Sequence, residues 1–253
     1  MHLVIDGRLW ENDSFSTINK NVACVLHRLG YDVRLEAWEQ GREKPHRDAF
    51  VDRDLLDALA DRPKDYGDAV TIRQSWPRCD PHYSAHYNWD TIQGRARIGL
   101  LPWESERLPA AWLENMGKVD AVLAISPFSA GRIERELRRC AVGTPVWSAP
   151  LGVDSRLFNP SCAPSPRLAG ARAFRFLHVG VGQTRKGSDL LRAAYLAEFT
   201  DADDVTLVVK TGGWDSAEAW LDNLPPHAPH LLVVHDDNIP EAEMGGVYTA
   251  CHC

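Results

Sequence analysis

Apolar and polar positions along the chain fall into two alternating rhythms. Short runs rich in Val, Ile and Leu read as strands. Between them lie stretches whose apolar side chains recur every three or four residues, the spacing of an amphipathic helix. In the first part this places strands over residues 2–6, 32–35, 69–74, 97–101, 121–126 and 145–149, with helices over 16–29, 52–61, 110–118 and 129–139. Such alternation is the signature of α/β architecture with mainly parallel strands, and six strands suffice for a doubly wound sheet. Residues 151–168, LGVDSRLFNPSCAPSPRL, then lose periodicity and carry Pro160, Pro164 and Pro166, as a connection between domains does. A second series follows, with strands over 174–179, 205–210 and 231–235 and helices over 188–199, 216–224 and 241–250. The expected fold is two Rossmann-like domains: residues 1–150, a linker over 151–172, and residues 173–253. Three strands are about half of what such a domain carries, so the second reads as incomplete.

The most informative stretch is FRFLHVGVGQTRKGSDLLRAAYLAEF, residues 174–199. An apolar strand ends in Gly180, Val181 and Gly182, Arg185 and Lys186 follow, and a helical pattern opens after Gly187. Strand, glycine turn, cations and helix N-terminus together make a receptor for phosphate. The plainer reading is an ordinary strand-to-helix turn with solvated cations. Ligands of open α/β sheets sit beyond the carboxyl ends of the strands. Those ends bring Gly7, Arg8, Arg73, Trp103 and Glu104 into consideration in the first domain, and Lys210, Asp236 and Asp237 in the second. Lys210 is either a third cation for a diphosphate or the cap of an edge strand. Glu104, beside Trp103, is either a catalytic carboxyl whose pKa burial raises or a carboxylate favouring the following helix. Asp13, Ser14 and Ser16 suit capping of the first helix, whose N–H groups also suit a phosphate. Arg132, Arg135, Arg138 and Arg139 share a helix with Glu134 and Glu136, giving either a solvated face or an anionic or membrane-surface site. The aromatic segment 76–89 is either a loop that stacks on a sugar or one packed by its own rings.

Composition narrows the field. A net charge of −7 and a pI near 5.8 argue against a nucleic-acid partner. No apolar run approaches the length that spans a bilayer, and the first residues, MHLVIDGRLW, lack the basic and apolar regions of a secretion signal. The six cysteines, Cys24, Cys79, Cys140, Cys162, Cys251 and Cys253, show no framework spacing and read as reduced thiols of a cytoplasmic protein. Cys251, His252 and Cys253 lack the further ligands a zinc site needs, so no metal is expected. No Walker loop, HExxH or G-x-G-x-x-G turn is present.

Three stretches carry a family resemblance: IGLLPWESERLPAAWLENMGKVDAVLAISPFSAGR (98–132), APLGVDSRLFNP (149–160), and residues 174–194 with their RKG turn. With the N-terminal strand they resemble glycosyltransferases of the family-4 type, over nearly the whole chain. The resemblance implies the two-domain GT-B arrangement, with an acceptor-side first domain and a nucleotide-sugar-binding second domain. It also implies sugar transfer from a nucleotide-sugar donor to a glycan, lipid or other acceptor, with retention and without a bound metal. No cofactor is implied, the nucleotide-sugar being substrate. Gly180, Gly182, Arg185, Lys186 and Lys210 would hold the donor diphosphate, and Asp237, Asn238 and Ile239 would form the base-contacting loop. Gly7, Ser14, Arg73 and Trp103 would line the acceptor crevice, with Glu104 the candidate catalytic residue. The position where the family often carries a further basic residue is Val181. The family's glycine-rich turn and paired glutamates lie beyond residue 253, so the chain as given is expected to have little activity. The work is expected in the cytoplasm, at most in peripheral contact with the inner membrane face. The alternative from another class is a non-catalytic binding protein derived from such an enzyme.

Overall fold

A computed structural model describes residues 1–11, 13–39, 47–78, 85–212, 217–235 and 239–253. The chain divides into two compact units, Met1–Arg47 with Asp52–Gly152, and Asp48–Val51 with Val153–Cys253. Both are α/β with wholly parallel sheets, as Rossmann-like folds are.

The first unit holds β1 (His2–Gly7), β2 (Val33–Ala37), β3 (Ala69–Gln74), β4 (Ala96–Leu101), β5 (Ala121–Ala124) and β6 (Val146–Ser148), in the order β2-β1-β3-β4-β5-β6. The order reverses between β1 and β3, which makes their carboxyl ends the crevice where open sheets take ligands. α1 (Ser14–Arg28) starts two residues before the periodicity does because Asp13 caps it, accepting from the Ser16 amide at 2.8 Å. It packs on the face carrying Gly7, where an added Cβ would lie 2.3 Å from Asn19 Nδ2. The opposite face carries Leu101, Val122 and Ala124, covered by α3 (Ala110–Met116), α4 (Pro127–Arg139) and the fully buried Trp89. α2 (Arg53–Ala60) buries Leu56 and Leu59.

Register then sets up the chemistry. Asp6 lies opposite Glu36 on one side and Arg73 on the other, and Arg73 lies opposite Gly99. In-register partners of parallel strands share a face, so Glu36, Asp6 and Arg73 form one polar row. At the fourth place the missing side chain of Gly99 admits the indole of Trp89, whose Nε1 donates to Ser75 Oγ at 2.9 Å.

The second unit has the order β7-β8-β9, from β7 (Phe174–Val179), β8 (Val205–Thr211) and β9 (His230–His235). Tyr195 of α5 (Ser188–Glu198) and Trp220 of α6 (Ala217–Leu221) cover Leu207 and Val209 on one face. On the other, α7 (Glu241–Thr249) brings Val247 against Val208, joined by Leu168, Ile239 and Ala250. The proline-rich stretch expected as a connection between domains is seated on α7. Gly245 and Gly246 have no side chains there because the Leu157 and Ala163 carbonyls approach to 2.1 and 2.5 Å of where a Cβ would sit. The Ser165 amide also donates to Gly246 O at 2.8 Å. Along the outer edge of β7 the Cys253 amide donates to Arg175 O (3.3 Å) and the Leu177 amide to Cys253 O (2.7 Å), a parallel rung. Among the described residues no helix is long and apolar enough to cross a membrane.

Candidate functional site

In the second unit, β7 gives way to the glycine turn at Gly180, whose amide donates to Lys210 O at 3.0 Å. That bond ties the turn to the end of β8. A single tight helical turn, Thr184–Lys186, then carries Arg185 and Lys186, both exposed. Its amides are spent locally, Lys186 donating to Gln183 O (2.7 Å) and Gly187 to Thr184 O (3.0 Å). Gly187 is left-handed (φ 70°, ψ 20°), a backbone that glycine adopts at little cost, and it turns the chain directly into α5. Among the described residues no side chain caps α5. Its first-turn N–H groups and the positive end of its dipole therefore lie next to two exposed cations. Gly182 is exposed on the same turn.

Lys210 is half-buried on β8, which is the middle strand, so the edge-capping reading of this lysine is overturned. Alternation along β8 puts it on the side of Val208, the α7 face. Its backbone meets the glycine turn, while Arg185 and Lys186 extend from the turn itself. Of the expected base loop, Asp237 and Asn238, like Asp236 before them, lie outside the described residues. Ile239 is 6% exposed and its side chain belongs to the core around Val208, which leaves its backbone alone for a ligand.

In the first unit, Gly7 ends β1 beneath α1 and Ser14 is exposed on the first turn of α1. Capping falls to Asp13, which also pairs with Arg8 at 2.5 Å. Trp103 follows β4, half-buried against Trp112 with ring centroids 5.1 Å apart. Its carbonyl accepts from Ser129 Oγ at 2.5 Å, while its buried Nε1 has no partner among the described residues. Glu104 is exposed rather than partly buried beside Trp103.

Arg73 is not an open crevice cation. It is 5% exposed, and its Nε and Nη2 donate to Asp6 Oδ2 at 2.8 and 2.6 Å. Its Nη1 reaches Thr91 Oγ1 (2.7 Å) and Asn88 O (3.0 Å), and Trp38 Nε1 donates to Asp6 Oδ1 at 2.7 Å. A buried pair so completely bonded holds the ends of β1 and β3 together, and removing one partner costs about 3–5 kcal/mol. Sequence reasoning missed Asp6 and Glu36. The signal was present in the strand alternation of VIDG and RLEA, but only the register brings the two carboxylates to Arg73. Also unforeseen was Glu39, 7% exposed, whose oxygens accept from the Leu9 amide at 3.1 and 3.2 Å. Burial pushes its carboxyl above the usual range despite those bonds, which favour the ionised form.

The segment containing Trp76, Tyr87 and Trp89 is packed by its own and neighbouring rings. Trp76 meets Phe15 edge-on, His86 stacks on Trp38 at 4.8 Å, and Tyr87 meets Trp38 edge-on. Of the basic residues on α4, Arg138 pairs with Glu134 and Arg132 with Glu106 at the surface, while Arg139 pairs with Glu136, whose side chain is buried. Among the described residues no group of side chains is arranged to hold a metal ion, and Cys24, Cys140, Cys162, Cys251 and Cys253 are in no disulfide. No protein-family model matches the chain, and no curated protein matches it.

Proposed function

We propose that the chain is part of a glycosyltransferase of the GT-B type that takes a nucleotide-sugar donor, the second unit receiving its diphosphate. The observation that carries this reading is the turn from Gly180 to Ser188: two exposed cations beside the uncapped N-terminus of α5, entered through left-handed Gly187. Charge-assisted bonds from Arg185 and Lys186, with the first-turn amides of α5, give a diphosphate both countercharge and directed donors. The same groups would stabilise the charge that develops on a departing nucleoside diphosphate, the term on which such transfer most depends. The acceptor, a glycan or a lipid-borne group, falls to the carboxyl-end crevice of the first unit, around Gly7, Ser14 and Trp103. Arg73 serves this crevice as its scaffold rather than as a contact, and the work is assigned to the cytoplasm.

Calorimetric titration of the purified chain with UDP, GDP and their sugar conjugates tests the proposal. Saturable binding that Lys186→Ala weakens about tenfold or more, the worth of one charge-assisted bond, is expected. Absence of binding to folded protein, or binding indifferent to Lys186→Ala and Arg185→Ala, overturns it.

A further inference from the structure

The polar row of the first unit is the floor of a cavity of about 250 Å³. Asp6, Glu36 and Arg73 supply the floor, and Tyr66, Thr91 and Gln93 stand among the walls. Two of these, Asp6 and Arg73, are charged and more than nine-tenths buried, which is an unusual investment for a sheet surface that apolar side chains could cover. The fixed groups alternate in kind. Glu36 accepts from Tyr66 Oη at 2.8 Å and lies 3.8 Å from Lys64 Nζ, while Asp6 accepts from Arg73 and Trp38. Carboxylate oxygens have further lone pairs to offer, and Gln93, exposed at the rim, carries both a carbonyl and an amide.

Those facts select a ligand class. An anion meets two carboxylates, and a cation meets Arg73 with Lys64 close behind Glu36, so neither sign of charge is favoured. A neutral molecule bearing several hydroxyls can donate to the carboxylates and accept from the Gln93 amide at once. The volume lies below the roughly 300–1,000 Å³ of pockets that hold drug-sized ligands, which limits the occupant to one sugar-sized ring. We infer that this cavity is a binding site for a neutral monosaccharide-sized polyol, held between the Glu36–Asp6–Arg73 row and Gln93. The inference uses no residue of the glycine turn, so it does not depend on donor binding there; Asp6 and Arg73 border the carboxyl-end crevice assigned to the acceptor, and to that extent it rests on the transferase reading.

Titration of the full chain with glucose, mannose and myo-inositol, followed by amide chemical shifts, tests it, with inorganic phosphate and methylammonium as charged comparisons. Saturable shifts centred on residues 36, 66 and 93 are expected with at least one neutral polyol. Glu36→Gln, which removes a charged acceptor yet can still receive the Tyr66 bond, should weaken binding about tenfold or more. Gln93→Ala, an exposed change that leaves the fold alone, should weaken it several-fold, and Lys186→Ala should leave it unchanged. No saturation by any neutral polyol in folded protein overturns the inference, as does tighter binding of phosphate or methylammonium. Binding indifferent to both cavity variants does so too. Because Lys186→Ala separates the two sites, failure here and failure of donor binding are distinguishable.

Discussion

Gly99→Ala adds one methyl group and is expected to be among the most damaging small changes in the first unit. The new Cβ would lie 2.0, 2.2 and 2.5 Å from three atoms of the Trp89 ring. Carbon atoms pack at about 3.5 Å or more, so the indole has to move by roughly 1.5 Å. It has little room to do so, being fully buried among Leu101, Leu113, Met116, Val122 and Ile133, and its Nε1 bond to Ser75 points it into place. If the core yields, overpacking costs about 1–3 kcal/mol. If the ring is expelled, the cost rises toward the roughly 3–5 kcal/mol of deleting a buried Trp, with the Ser75 bond worth about 1 kcal/mol more. A loss of about 3 kcal/mol is therefore expected, read from urea unfolding followed by far-ultraviolet circular dichroism. Gly131→Ala is the internal control. It makes the same chemical change on the exposed side of α4, with nothing within 4 Å, and is expected to stabilise by about 0.5–1 kcal/mol. Equal stability of Gly99→Ala and the unaltered chain would refute the packing argument.

Two further outcomes follow from the same reasoning. In α7, helix propensity favours Gly245→Ala by about 1 kcal/mol. The Leu157 carbonyl, however, stands 2.1 Å from the new Cβ, and overpacking of about 1–3 kcal/mol should win. Net destabilisation, with faster hydrogen exchange at the Ser165 amide, is expected; a more stable variant contradicts the seating of residues 157–165 on α7. Glu39 supplies a pH test. Its folded pKa is raised by burial, so the unfolded chain ionises first, and stability should fall as pH rises from the ordinary glutamate pKa, about 4.3, through the folded value. Glu39→Gln keeps an acceptor for the Leu9 amide and should remove that decline, leaving the variant the more stable form at neutral pH. Parallel pH profiles for the two proteins would show that Glu39 is not held above its usual range.

Much of the architecture was legible because each βα unit announces itself twice, once as an apolar run and once as a change of period. β3 and β7 occupy the residues their β-branched and aromatic runs predict, and Gly187 marks the α5 boundary because the chain there needs positive φ. The glycine turn could be found from its local sequence, since a phosphate receptor of this kind is built from consecutive residues. What escaped depends on register. Nothing near Gly99 in the sequence says that Trp89 will lie upon it. Arg73 looked like a crevice cation until the pairing of β1 with β3 set Asp6 beside it. Proline content made residues 151–168 read as a connection between domains, but did not show that their carbonyls and Leu168 are committed to α7 and the core. Glu104 followed an apolar strand end, but exposure is decided by how the chain leaves β4, which periodicity does not report.

The central claim is that the turn between β7 and α5 receives a nucleoside diphosphate. Backbone amide shifts of the nitrogen-labelled chain, recorded as UDP and then GDP are added, test it most directly. The account predicts saturable shifts concentrated at Gly180, Gly182, Gly187, Ser188 and Asp189, reduced in Lys186→Ala. Shifts confined to other parts of the molecule, or none in a folded chain, would contradict it.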